Sequence, residues 1–196
     1  MKIIIVNSEQ LFRLVPDSAL LLKHRPFFLP DYVQTLHAKT ALVVKINRLG
    51  KYIQEKFAHT YYEEIGFAIN FYDKNCLDLL VEKSLPWERA TCLDGSFAMS
   101  EFMASTEFIL SGVEGFSHQS AVVERSRNDT PVEKQIFSFD LAQIPKIISE
   151  LSAYMTLKIG DYIAIELGEV DSAPFAINDV LRLSLNEKDV VRVVVK

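Results

Sequence analysis

Cysteine is almost absent from this chain. Cys76 and Cys92 are its only two and form no CxxC pair, so the sequence offers neither a disulfide framework nor a clustered thiolate site. Glycine and proline are scarce as well, seven of each in 196 residues, and the glycines are dispersed. A glycine-rich phosphate loop and a low-complexity linker are thereby excluded. No apolar run approaches the length that crosses a bilayer. The opening Met1-Lys2-Ile3-Ile4-Ile5-Val6 is too short for a secretory leader and reads as a buried first strand. The net charge is −5 and no basic patch is interleaved with aromatics, which argues against nucleic acid as a partner. The four histidines, His24, His37, His59 and His118, show no metal-binding spacing on one helix. Ser96, Ser100 and Ser111 sit in no nucleophile elbow.

What is present is 49% hydrophobic and 24% charged, the composition of a globular chain with one sizeable core. It is read as a single domain over 1–196, in a reducing cytoplasm and off the membrane. Strand patterns dominate. The longest, Leu36 to Asn47, places Leu42, Val44 and Ile46 on one face and Val43 and Lys45 on the other. Further strands are expected at 2–6, 11–15, 19–22, 64–72, 107–110, 120–124, 133–137, 162–166, 181–185 and 190–195. Arg125 to Thr130 is expected as a polar turn. Helices are expected over 73–83 and from about Pro145, the latter with Leu141, Ile144, Ile147, Ile148 and Leu151 on its apolar face. The fold class is α+β, mostly β, with a few short helices.

Several segments in order carry a resemblance. They are Pro16-Asp17-Ser18, Pro26-Phe27-Phe28-Leu29-Pro30-Asp31, Leu36 to Asn47, Glu64 to Phe71, and Leu85-Pro86-Trp87 through Asp94-Gly95-Ser96. In this order and spacing the chain resembles the fumarylacetoacetate hydrolase family over nearly its whole length. That resemblance implies a mixed β-sandwich roll, a homodimer, and a divalent metal such as Mg²⁺ acting on small 2-oxo acids or acylpyruvates.

Matched position by position, the family's site is altered here. Its two metal-binding glutamates fall on Lys39 and Ala41, after His37, and its aspartate falls on Asn70. A hard cation needs converging oxygen ligands, so no metal and no cofactor is expected. Lys39 either sets its ammonium where the metal would sit, paired to Asn70 or a nearby carboxylate, or extends to solvent. The family's lysine falls on Thr91, ahead of the Asp94-Gly95-Ser96 turn, and its arginine falls on Lys74. The lid segment is missing after residue 9, and His24 matches no catalytic histidine. Asp129-Thr130 faintly echoes a second contact. Glu166 and Glu169 stand where small residues would let an oxo acid approach, and are expected to repel it.

The reading that follows is a catalytically degenerate homologue with a binding, assembly or regulatory role. It would be a homodimer or the partner of an active relative, with room for a small anionic ligand. The weak catalytic candidates are His37, Lys39 and Lys74, and the pocket positions are Lys39, Ala41, Asn70, Thr91 and Asp94. The alternative is an altered hydrolase, decarboxylase or tautomerase of small 2-oxo acids or acylpyruvates.

Overall fold

A computed structural model of the chain describes residues 1–7, 11–22, 25–106, 119–128 and 130–196. The strands are β1 (Ile3–Val6), β2 (Phe12–Val15), β3 (Leu36–Ile46), β4 (Tyr62–Asp73), β5 (Phe97–Met99) and β6 (Met103–Ala104). They continue with β7 (Gln119–Arg127), β8 (Thr130–Phe139), β9 (Tyr162–Phe175), β10 (Asp179–Leu185) and β11 (Lys188–Val194). Short helices α1 (Glu55–Ala58), α2 (Lys74–Glu82) and α3 (Glu88–Thr91) lie between them, and α4 (Ile144–Tyr154) is the longest described helix. The mostly-β class and the few short helices match the sequence reading.

The strands form two sheets. One runs β2-β1-β9-β3-β4-β5, with β6 also on β4, and the other runs β11-β10-β7-β8. Alternation along each strand sorts the apolar side chains into two layers. Ile4, Leu42, Val44, Phe67, Ile69 and Ile163 point inward. They meet Ala121, Val123, Leu181 and Val193 of the second sheet and Ile144, Ile148 and Leu151 of α4 in one buried core. Ile3, Ile5, Ala41, Val43, Ala68 and Phe97 form a smaller cluster on the opposite face of the large sheet. Gly168 lets the sheets approach closely: a Cβ there would meet the Phe137 ring at 2.8 Å.

Several local expectations are corrected. Residues 19–22 are not a strand; Asp17–Ala19 is a single 3₁₀ turn, and Leu20 makes only an isolated bridge to Phe97. Arg125 to Thr130 is not a polar turn, because Arg125, Ser126 and Arg127 complete β7 opposite Leu181, Val180 and Asp179. Arg125 is buried. Its guanidinium donates to Asp179 and to the carbonyls of Ala173 and Pro174, and it packs 4.3 Å from the centre of the Phe175 ring. β9 continues well beyond residue 166, to Phe175. The helical segment after Asp140 begins as a 3₁₀ turn, and α4 itself starts at Ile144 with Pro145 in its first turn, where the missing N–H costs nothing. The strand expected at 107–110, Ser111, His24, His118, Asp129 and the lid junction at residues 8–10 lie outside the described residues.

Asp179 has no solvent exposure and is held by two arginines. Burial pushes its carboxyl up, but hydrogen bonds from Arg127, the Ala176 N–H and Arg125 outweigh that and hold it below its ordinary value. A depressed folded-state pKa contributes stability that is present above the unfolded value and lost as pH falls through the folded one. Asp179→Ala leaves Arg125 buried without its anion and is expected to cost about 3–5 kcal/mol at neutral pH. The deficit should shrink as the pH drops below roughly 4. Denaturant unfolding of both proteins between pH 3 and 7 measures it; a pH-independent deficit would refute the assignment.

Candidate active site

β3 is flanked by β9 on one side and β4 on the other, and its alternation puts His37, Lys39 and Ala41 on the outer face. Opposite them on β4 stand Tyr72, Asn70 and Ala68. On β9, Glu169 pairs with Lys39 and Glu166 with Ala41. Residues three apart in a regular strand face opposite ways. A register shift between Thr40 and Ala41, where β9 passes from Gly168 to Glu166 with Leu167 as the extra residue, brings both glutamates to one face.

The side chains there form a connected ionic cluster. Glu166 accepts from Arg13 Nη2 at 2.8 Å and from Lys39 Nζ at 2.9 Å. Glu169 accepts from the Tyr72 hydroxyl at 2.6 Å, and His37 Nδ1 lies 3.2 Å from the same carboxylate oxygen. The Lys39 ammonium sits 5.7 Å from the centre of the Tyr72 ring. Burial above all, and then Glu169, push the Tyr72 phenol far above its ordinary value, so it stays protonated across the physiological range. Lys39 therefore pairs with a carboxylate on the neighbouring strand, with its side chain 27% exposed. The expectation that Glu166 and Glu169 repel an anion is corrected. Two cations and two carboxylates face each other here, with partners contributed by β2, β3 and β4 that local sequence does not bring together.

The other sequence candidates lie apart from the cluster or are occupied otherwise. Lys74 is on α2, 3.4 Å from Asp78. The buried Thr91 hydroxyl donates to the Trp87 carbonyl at 3.1 Å, which binds it to its own helix. Asp94 accepts from the Ser18 hydroxyl at 2.8 Å, and Gly95 after it has φ +66°, which favours glycine. Burial pushes the Cys92 thiol up, in spite of the Thr91 contact, so it is no thiolate nucleophile at neutral pH. Arg13 and the pairing role of Tyr72 were missed. An arginine inside the alternating Phe12-Arg13-Leu14-Val15 strand was the one local sign.

Lys39, Ala41 and Asn70, the positions onto which the resemblance sets the family's metal ligands, carry an ammonium, a methyl group and a neutral amide, and the nearby Glu166 is already matched by two cations. Among the described residues no group of three or more His, Cys, Asp or Glu is arranged to hold an ion. These three side chains contribute no anionic oxygen of the kind a hard divalent cation takes.

No family model matches the chain. It is 27% identical over 158 residues to rat mitochondrial oxaloacetate tautomerase FAHD1, covering 81% of this chain and 68% of that one. With oxaloacetate tautomerase YcgM of Escherichia coli K12 the identity is 23% over 158 residues, 81% and 69% of the two chains. With the mitochondrial oxaloacetate decarboxylase of Dictyostelium discoideum it is 26% over 160 residues, 81% and 70%. Among solved structures, a Yersinia pestis CO92 protein assigned to the fumarylacetoacetate hydrolase family superposes with TM-score 0.79 at 23% identity, covering 100% of this chain and 92% of that one. Fumarylpyruvate hydrolase from Pseudomonas aeruginosa, in complex with Mn²⁺ and pyruvate, gives 0.74 at 14%, covering 100% and 89%. The fold is thus the one shared by fumarylacetoacetate hydrolase-type proteins, and in sequence the chain is similar to relatives named as oxaloacetate tautomerases and an oxaloacetate decarboxylase.

Two expectations are overturned by these relatives. The degenerate, non-catalytic reading gives way because the similar proteins are named as tautomerases, a decarboxylase and a hydrolase. The expectation of no cofactor gives way because a neighbour of the same fold holds Mn²⁺ with pyruvate.

Removing the carboxylate that joins Arg13 and Lys39 tests the ionic cluster. Glu166→Gln leaves two cations facing a neutral amide and is expected to cost about 2 kcal/mol, a melting temperature lower by roughly 4–8 °C. Glu166→Gln with Lys39→Met should recover part of that loss in a double-mutant cycle; strictly additive effects would show that the pair is not coupled.

Proposed function

We propose that this chain is an enzyme of small 2-oxo acids, and that its first reaction is keto–enol tautomerisation of an oxaloacetate-type dicarboxylate. The observation that carries the reading is the convergence of Lys39 with the Tyr72–Glu169–His37 group on one sheet face. Tautomerisation moves a proton between C3 and the C2 oxygen through an enolate, so it needs a base near C3 and positive charge near O2. Glu169 is the base. It shares one oxygen with Tyr72 and His37, which hold its carboxylate in place. Tyr72, kept protonated, donates a hydrogen bond and does not compete as a base. Lys39 supplies the charge that stabilises the enolate oxygen, turning from Glu166 toward the substrate as it enters.

The names of the relatives support the same chemistry, since loss of CO₂ from oxaloacetate passes through an enolate that the same ammonium would stabilise. The two outcomes are separated by assay. The decay of enol-oxaloacetate and the release of CO₂ are followed on the purified chain without added metal and with Mg²⁺ or Mn²⁺. Enol–keto exchange is expected to exceed the buffer rate, with CO₂ release slower. Lys39→Ala should lower kcat/KM by about 100-fold, and Tyr72→Phe by about tenfold. No acceleration under any of the three conditions, or an unaffected Lys39→Ala, would refute the reading.

A further inference from the structure

Asn70 is the least explained residue of the site. It sits on β4 with Lys39 opposite on one side and Phe97 of β5 on the other, and it is only 2% exposed. Neither its Nδ2 nor its Oδ1 has a hydrogen-bond partner. A buried amide unmatched at both ends is uncommon, because each unpaired group carries its full desolvation cost. Such a side chain, on the sheet face that carries the charged cluster and in register with Lys39, leaves a donor and an acceptor for a polar group from outside the chain.

An amide offers one acceptor and one donor side by side. Its complement is a group with a donor beside an acceptor, the logic by which an asparagine reads two adjacent atoms of a base edge. The enol of a 2-oxo acid has that array: its hydroxyl donates and the neighbouring carboxylate accepts. The keto form has two acceptors, which leave Oδ1 unpaired and facing lone pairs. We propose that Asn70 reads the enol form of the substrate, its Oδ1 accepting from the enol hydroxyl and its Nδ2 donating to the adjacent carboxylate.

Asn70 is then the residue that sets the tautomer preference, and the inference rests on the 2-oxo acid reading of the site. Lys39 is its register partner, so the ammonium and the amide act from neighbouring positions on the same sheet face. An aspartate would offer two acceptors and could not satisfy this array, whereas the neutral amide does so without adding charge.

The test compares two stable probes by calorimetry, with and without Mg²⁺. Malate keeps a hydroxyl donor beside a carboxylate, and 3,3-dimethyloxaloacetate cannot enolise and offers acceptors only. The native chain is expected to favour malate by about tenfold, the size of one unmatched polar contact. In Asn70→Asp and Asn70→Leu, each checked for native-like melting, the ratio should fall to about one. A native chain that binds neither probe or shows no preference, or variants that keep the native ratio, overturns the proposal. Loss of the ratio in a chain that turns over no oxaloacetate would keep Asn70 as the ligand group and sink the tautomerase reading. Turnover by the native chain with an unchanged ratio in both variants would do the reverse.

Discussion

Every feature of the site depends on β3 being hydrogen-bonded along both edges, to β9 on one side and β4 on the other. Side-chain direction in a strand has a period of two, so a slip of one residue in either pairing would turn a whole row to the other face. With the observed register, Leu42, Val44 and Ile46 fill the core between the sheets while His37, Lys39 and Ala41 line the opposite face. The apolar row fixes the register, because burying Lys39 among Phe67 and Ile69 would cost far more than any hydrogen-bond pattern could return. The polar row follows from that choice. Packing and chemistry are two sides of the same eleven-residue strand.

The bulge at Leu167 adds a second constraint. Without the extra residue, Glu166 and Glu169 would face opposite sides, one toward the core. With it, the first glutamate meets Arg13 and Lys39 and the second meets Tyr72 and His37. Each negative charge is answered within hydrogen-bond distance, which is what allows Glu166 to be largely buried. The result is an ionic cluster in which the two carboxylates face two cations, Arg13 and Lys39.

The sheet-forming strands were largely legible because alternation of apolar and polar residues is a local signal. β1, β4, β7, β8, β10 and β11 are all anticipated by such runs, β4, β7, β8 and β10 with shorter ends and β1 and β11 displaced by a residue or two. Residues 19–22 were misread because Ala19-Leu20-Leu21-Leu22 is apolar enough for a strand but has no neighbour to pair with along its length. Arg125 to Arg127 were misread for the opposite reason: charged residues look like a turn until Asp179 is brought beside them from another strand. At the site, His37, Lys39, Asn70, Glu166 and Glu169 were identified from segment order, with a nearby carboxylate as one option for Lys39, but the pairing among them was not. Arg13, Tyr72 and the two glutamates reach the cluster from strands far apart in sequence, and one of those strands is bulged.

What the sequence by itself determined is the mostly-β class, the central long strand and the core-facing rows. Periodicity and segment order suffice for these, since both are properties of neighbours along the chain. Only the tertiary structure decided that Glu166 and Glu169 are paired with cations and hydrogen-bond donors, and that Asn70 is buried with both amide atoms unmatched. Charge balance and hydrogen-bond satisfaction are sums over everything within a few ångströms, and which groups lie within that distance is fixed by strand pairing across more than a hundred residues of chain.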